Sequence, residues 1–195
     1  MAKMWDSTVS HNEEKIKTIF QIIQIKDGSK VLDVGTGTGV LTPYLSRCVG
    51  KLGRIIAVDI AEKMIEIAKM KFSFHNVDFV VGDVLEMELP KNYFNYIICY
   101  SMFPHFKNKQ TAVTKLSDYL SIGGELVICH TQSREEINNF HQSSFVAVKN
   151  DNLPPAEKIK EYYLRAGIEA TSVVDNEKMF VIIGKKISSS SGSFM

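Results

Sequence analysis

Between residues 30 and 130 the chain changes repeatedly between two kinds of apolar pattern. The stretches "KVLDVG", "RIIAVDI", "VDFVVGD", "YFNYIICYS" and "GGELVICH" are short, nearly unbroken apolar runs rich in β-branched and aromatic residues. Between them, "GVLTPYLSRCV", "AEKMIEIAKMKF" and "KQTAVTKLSDYL" repeat their apolar residues with helical spacing, placing Ile65, Ala68 and Phe72 on one side of one helix and Ala112, Leu116, Tyr119 and Leu120 on one side of another. A strand that is apolar on both sides needs cover on both faces. Parallel strands joined through helices supply that cover. The alternation therefore predicts an open, doubly wound α/β sheet. With 195 residues, 45% of them apolar, there is enough material for one domain with a substantial core.

The flanks add a cap and a reversal. "EEKIKTIFQIIQI" puts Ile16, Ile19, Phe20 and Ile23 on one helical face. After residue 130, "SREEINNFHQ" opens on a capping-box pair, Ser133 and Glu136, and reads as a short helix followed by a loop or short strand in "VAVKNDNL". "PPAEKIKEYYLRAG" starts on proline, ends on Gly167, and lines up Ile159, Tyr162, Tyr163 and Ala166 as a helix. "IEATSVVD" and "KMFVIIGKK" flank the turn "NE" as an antiparallel hairpin, so the sheet is expected to end in one reversed strand. Residues 1–187 are read as a single domain, with 1–28 a helical cap and 131–155 a substrate-side insertion. The tail 188–195, "SSSSGSFM", is expected to be disordered.

A formal net charge of +1 gives no electrostatic reason to expect a nucleic-acid or anionic-membrane partner. The N-terminus lacks the apolar core of a signal peptide, and no apolar run reaches membrane-spanning length. Cys48, Cys99 and Cys129 are widely separated and show no metal-ligand spacing. Cys99 and Cys129, inside apolar β-like runs, fit buried, reduced thiols, and the three together fit a cytoplasmic setting.

The segment "VLDVGTGTGVL" sets three glycines, Gly35, Gly37 and Gly39, at the end of the first strand, two residues beyond Asp33. A supple turn at the carboxyl end of a strand lets backbone and a helix start approach a ligand. Dinucleotides and adenosyl sulfonium compounds both suit such a site. The dinucleotide fingerprint is G-x-G-x-x-G, whereas here the third glycine comes one position early. Asp59, closing the second strand, suits a ribose diol in either class. Asp83, after the third strand, suits the exocyclic amine of an adenine. Three acids on three successive strands, Asp33, Asp59 and Asp83, would converge on one crevice.

On these residues the sequence resembles the class I S-adenosylmethionine-dependent methyltransferases along nearly its whole length. "VLDVGTGTG" resembles that family's first motif, "AVDIAEKMI" its second, "VVGDV" its third, and "LSIGGELVI" the approach to its fifth strand. The resemblance implies a Rossmann-like, doubly wound, seven-stranded sheet, mostly parallel with one antiparallel strand near the edge and flanked by helices. It implies S-adenosyl-L-methionine as cofactor. Asp59 would lie on the ribose, Met64 against the adenine, Asp83 and the Val84 amide at the adenine edge, and Asp33 near the methionine moiety. Gly35, Thr36, Gly37, Gly39, Ile60 and Tyr100 complete the expected cofactor set. Within the family the pattern looks loosely like the ubiquinone- and menaquinone-biosynthesis enzymes.

Tyr100, Phe103 and Phe106 could offer aromatic faces to a sulfonium charge. The fourth strand runs into "CYSMFPHF", without the Asn/Asp-Pro-Pro-Tyr/Phe segment expected of methyltransferases acting on bases or protein glutamine. A small-molecule acceptor and a monomer or homodimer are therefore expected. His105, His130 and His141, with His11, fall where an acceptor could lie, and one of them could be a general base. The rival reading makes each a loop-edge residue bonded to backbone; His75 is read as solvated surface. A three-histidine metal site is weighed and set aside for want of compact spacing, so no metal is expected. Arg134 could pair with a substrate carboxylate or simply be solvated between acids. Met102, Phe103 and Phe106 could line a pocket or belong to the core, and Trp5 could close over the cofactor or seal an edge. Two other functions stay open: a nicotinamide-dependent oxidoreductase, and a non-catalytic adenosyl-cofactor sensor or partner subunit.

Overall fold

In the computed structural model, residues 12–143 and 151–188 are described. The expectations for Trp5, His11, most of "VAVKNDNL" and nearly all of the tail fall outside these residues. In chain order the elements are α1 (Glu13–Ile23), β1 (Lys30–Val34), α2 (Thr42–Val49), β2 (Arg54–Asp59), α3 (Glu62–Lys71), β3 (Val77–Val81) and β4 (Phe94–Tyr100). A single 3-10 turn, Phe103–His105, leads to α4 (Lys109–Tyr119), β5 (Leu120–His130), α5 (Arg134–Ser143), α6 (Ala156–Arg165), β6 (Ile168–Asp175) and β7 (Phe180–Lys186). All seven strands join one sheet in the order β3-β2-β1-β4-β5-β7-β6. The pairs among β1 to β5 are parallel, while β7 runs antiparallel to both β5 and β6. The expected seven-stranded, Rossmann-like sheet with one reversed strand near the edge is the observed one.

Two cores cover the sheet. On one face Leu32, Ile97, Leu126, Ile128 and Ile182 pack with Ala112 and Leu116 of α4 and Ile159 and Tyr163 of α6. On the other, Val31, Ile55, Ile98, Val127 and Val181 pack with Ile16, Ile19 and Ile23 of α1 and Leu45 of α2. Strand residues alternate between these cores, which is why β1 and β4 read as continuous apolar runs. Tyr163 is fully buried, and its hydroxyl donates to the Leu126 carbonyl at 3.0 Å, pinning α6 to β5. Lys15 fixes α1 by donating to the carbonyls of Thr131 and Lys178 at 2.8 and 2.7 Å.

Three details differ from the sequence reading. The reversed strand is not the last: β7 inserts between β5 and β6, and β6 forms the edge. Burial explains the order, since Phe180–Ile183 are all buried whereas β6 alternates buried or half-buried with exposed residues, as one-sided edge strands do. Helix α2 begins at Thr42 rather than Gly39, with proline in its first turn, where a missing N–H costs nothing. Strand β5 begins at Leu120, before the two glycines, because Leu120 already pairs with Phe94 ahead of a register shift. The capping box forms as expected: Glu136 N–H donates to Ser133 Oγ at 3.1 Å, and Ser133 N–H to Glu136 Oε2 at 2.8 Å.

Candidate functional site

Strand order reverses between β1 and β4, and at the carboxyl ends of these strands lies a cavity of about 400 Å³. Its floor is the turn after β1. The N–H groups of Gly35 and Thr36 donate to the Val58 carbonyl at 2.8 and 3.0 Å, which ties this turn to β2. Gly35 and Gly37 have φ of +68° and +57°, a region costly for any residue with a Cβ. A Cβ at Gly35 would come within 2.8 Å of Met102, so the turn and the β4 exit touch. One at Gly37 would meet nothing within 4 Å, consistent with a position facing the cavity.

The acids divide into two on the cavity and one beneath it. Asp59 lines the wall, its carboxylate held by the N–H groups of Gly37 and Ala61, both at 2.8 Å. Asp83 lines it too and accepts from Leu85 N–H at 2.9 Å. Asp33 does not reach the lining. It is 1% exposed, and Thr36 Oγ1 donates to its Oδ2 at 2.7 Å. Burial pushes its carboxyl up to about 6, with the Asp59 charge adding to the rise and the Thr36 hydrogen bond opposing it. The expected convergence of three acids is thus corrected. Asp33 is the fourth residue of a five-residue strand, so its side chain turns into the protein and braces the glycine turn from below.

Of the remaining cofactor candidates, Gly35, Thr36, Gly37, Ile60, Met64, Val84 and Tyr100 line the cavity. Gly39 does not; it lies against the Phe72 ring instead. Thr38, Val40, Ser101 and Met102 also line the cavity and lie outside the expected cofactor set. Ser101 carries φ +54° without being glycine, a strained turn that no sequence signal marks. Met102 and Phe106 reach the cavity, whereas Phe103 is fully buried core beside Phe106.

The histidines separate sharply. His105 lines the cavity, and its Nδ1 lies 2.7 Å from Asp151 Oδ2. His141 is mostly buried, its ring centroid 5.4 Å from that of His105, and its Nδ1 donates to the Asp151 carbonyl at 3.0 Å. His130 is 2% exposed and its Nε2 has no hydrogen-bond partner. Burial, with His105 and His141 nearby, pulls it down to about 3, so it stays neutral. His130 therefore sits behind the site and not in it, a correction that follows from its place at the buried end of β5. Arg134 is also corrected: its Nε pairs with Asp175 Oδ2 at 3.2 Å, away from the cavity lining. His75 is exposed, with only a 3.4 Å contact to the Lys51 carbonyl. Among the described residues, no group of three or more His, Cys, Asp or Glu could hold a metal ion.

Among the described residues, the lining carries two carboxylates and no lysine or arginine, around apolar walls from Ile60, Met64, Val84 and Phe106. A pyrophosphate would meet no lysine or arginine among these residues. A ribose diol, an adenine and a positive sulfur fit the carboxylates, the apolar walls and the Tyr100 and Phe106 rings.

Comparison with known proteins agrees with this geometry. A methyltransferase-domain family matches residues 25–170. A demethylmenaquinone methyltransferase of Staphylococcus saprophyticus is 27% identical over 186 residues, covering 80% of this chain and 77% of the relative. Among solved structures, a SAM-dependent methyltransferase from Aquifex aeolicus superposes with TM-score 0.72 at 22% identity, covering 88% of this chain and 89% of the other. Phosphoethanolamine N-methyltransferase 2 of Haemonchus contortus, in complex with S-adenosyl-L-methionine, gives TM-score 0.72 at 16% identity, over 90% of this chain and 53% of the other. With the family matched over most of the chain, and the strand order and cavity already described, this protein belongs to the class I S-adenosylmethionine-dependent methyltransferases.

Proposed function

We propose that this enzyme methylates a small-molecule acceptor held beside the cavity, between the 3-10 turn and α5. The observation that carries the reading is the charge of the cavity: two carboxylates, aromatic and apolar walls, and, among the described residues, no lysine or arginine. Asp59 would take the ribose hydroxyls. Asp83 and the Val84 amide would take the adenine edge, with Ile60 and Met64 packing on its faces. Gly35, Thr36 and Gly37 would pass the methionine moiety over the charge of Asp33, and Tyr100 would face the sulfur. When bound, S-adenosylmethionine supplies a methyl carbon whose bond to positive sulfur is ready to break, and the leaving electron pair stays on sulfur. The protein's work is then alignment of acceptor and methyl group, an effect worth roughly 7–11 kcal/mol in well-oriented reactions. Exclusion of water by Met102 and Phe106 adds to it.

A small acceptor is supported by the small-molecule name of the curated relative and by the absence of a base-methylating segment after β4. Two buried free thiols, Cys99 and Cys129, support a cytoplasmic setting. Among the described residues, no helix is long and apolar enough to cross a membrane. Calorimetric titration with S-adenosylmethionine, S-adenosylhomocysteine and NAD tests the cofactor, and a methyl-labelled donor offered with metabolite pools tests the acceptor. Binding of NAD in preference to both adenosyl compounds would overturn the reading, as would label transferred to RNA or protein but to no metabolite.

A further inference from the structure

We infer that Asp151 and His105 form an acid-base pair at the cavity mouth, Asp151 as the positioning residue and His105 as the base for an acceptor carrying an enolic or phenolic hydroxyl. This rests on the methyltransferase reading above and deepens it. An ionised carboxylate only accepts, so the 2.7 Å contact places a proton on His105 Nδ1, and in the neutral imidazole it is Nε2 that carries the lone pair. His105 lines the cavity, so Nε2 is the ring nitrogen left to meet a bound molecule.

The pair is built rather than incidental. Asp151 lies 46 residues beyond His105 and is brought to it by a clasp two residues on. Leu153 N–H donates to Asn138 Oδ1 at 2.8 Å, Asn138 Nδ2 donates to the Leu153 carbonyl at 3.1 Å, and Leu153 itself is buried. From the other side, Lys109 Nζ donates to the carbonyls of Pro104 and Phe106, both at 3.0 Å, locking the turn that carries His105. The charged and titratable groups facing this pair are His141, His130 and Lys109. Burial keeps both other histidines toward their neutral forms, and among the described residues His105 is the one imidazole that lines the cavity.

The acceptor class follows from what such a base adds. A neutral arylamine already presents its lone pair and needs no proton removed before it attacks, whereas an alkylamine is protonated at neutral pH. A hydroxyl becomes a strong nucleophile as its proton leaves. In the step, the acceptor's O–H bond breaks, its proton goes to His105 Nε2 and on to solvent, and the released electron pair forms the new bond to the methyl carbon as that carbon's bond to sulfur breaks and its pair stays on sulfur. Attack through the conjugated carbon is completed when that carbon's own hydrogen leaves as a proton to solvent. Met102, Phe106 and Tyr100 give that acceptor apolar and aromatic surroundings.

The full chain, ¹⁵N-labelled and saturated with S-adenosylhomocysteine, tests the pair by NMR at about pH 9, above the imidazole range. His105→Gln assigns the signals. The wild type is expected to show His105 as the Nδ1–H tautomer, and Asp151→Asn to lose that preference. An unchanged tautomer in Asp151→Asn, or an Nε2–H tautomer in the wild type, overturns the pair. With a labelled donor and panels of naphthols, hydroquinones and amines, hydroxyl compounds should be methylated. His105→Gln should then lower kcat about 100-fold and Asp151→Asn about tenfold, with donor affinity within about twofold of wild type in both. Transfer to amines alone, or wild-type kcat in either variant, overturns the assignment. A wild type that fails to bind the donor refutes the underlying methyltransferase reading instead, and the tautomer result is read independently of it.

Discussion

Asp33→Asn separates what the buried carboxylate costs the fold from what it contributes to binding. Asp33 is 1% exposed, with one short hydrogen bond from Thr36, and is raised from 3.8 to about 6 chiefly by burial. At 1.36 kcal/mol per pKa unit this corresponds to about 3 kcal/mol between the two protonation states. The sign follows from the direction. The native state holds the proton more tightly than the unfolded chain, so the Asp33 contribution is most favourable below pH 3.8 and is lost as pH rises through about 6. Asparagine has nearly the same shape, can still accept from Thr36, and does not ionise. Urea unfolding of both proteins from about pH 4 to pH 7 should show the variant gaining on the wild type by about 3 kcal/mol across that range, then levelling off. Calorimetry should show the opposite effect on function. Asp33→Asn should weaken S-adenosylmethionine more than S-adenosylhomocysteine, because both carry an α-ammonium but only the donor adds a sulfonium charge for the carboxylate below the glycine turn to attract. Parallel stability curves for the two proteins would refute the buried-charge argument, and equal loss for both ligands would refute its link to binding.

His130→Phe should remove acid sensitivity. With its pKa lowered to about 3, wild-type His130 contributes stability above pH 6.5 that is lost as pH falls toward 3, up to about 5 kcal/mol, and the variant's urea midpoints should decline less over that window. Gly35→Ala should cost about 2–5 kcal/mol by combining a positive φ with a 2.8 Å clash on Met102, whereas Gly37→Ala should cost only about 1–2 kcal/mol but weaken S-adenosylmethionine binding; thermal unfolding and calorimetry distinguish them. Arg134→Ala should change stability by no more than about 1 kcal/mol and leave methyl transfer at the wild-type rate, since its half-exposed ion pair with Asp175 lies away from the cavity.

The sheet and much of the lining of the cavity at its carboxyl edge were legible in the chain because both depend on local pattern. Continuous apolar runs specify strands covered twice, and the glycine turn with Asp59 and Asp83 falls at strand ends by sequence position alone. What local pattern does not carry is which way a side chain turns. Asp33 and Asp59 look equivalent in sequence, yet one lies a residue short of its strand end and is buried while the other, at its strand end, meets the cavity. His105, His130 and His141 look alike as loop-edge histidines, and only the packing of α5 and β5 against the 3-10 turn sorts them into one on the cavity and two behind it.

The pairing of His105 with Asp151 belongs to tertiary structure entirely. No spacing announces a contact across 46 residues, since it depends on the Asn138 clasp that brings the chain back over the cavity. Periodicity and turn chemistry are short-range and survive in a string of letters. Proximity between distant groups exists only once the two cores have closed on the sheet.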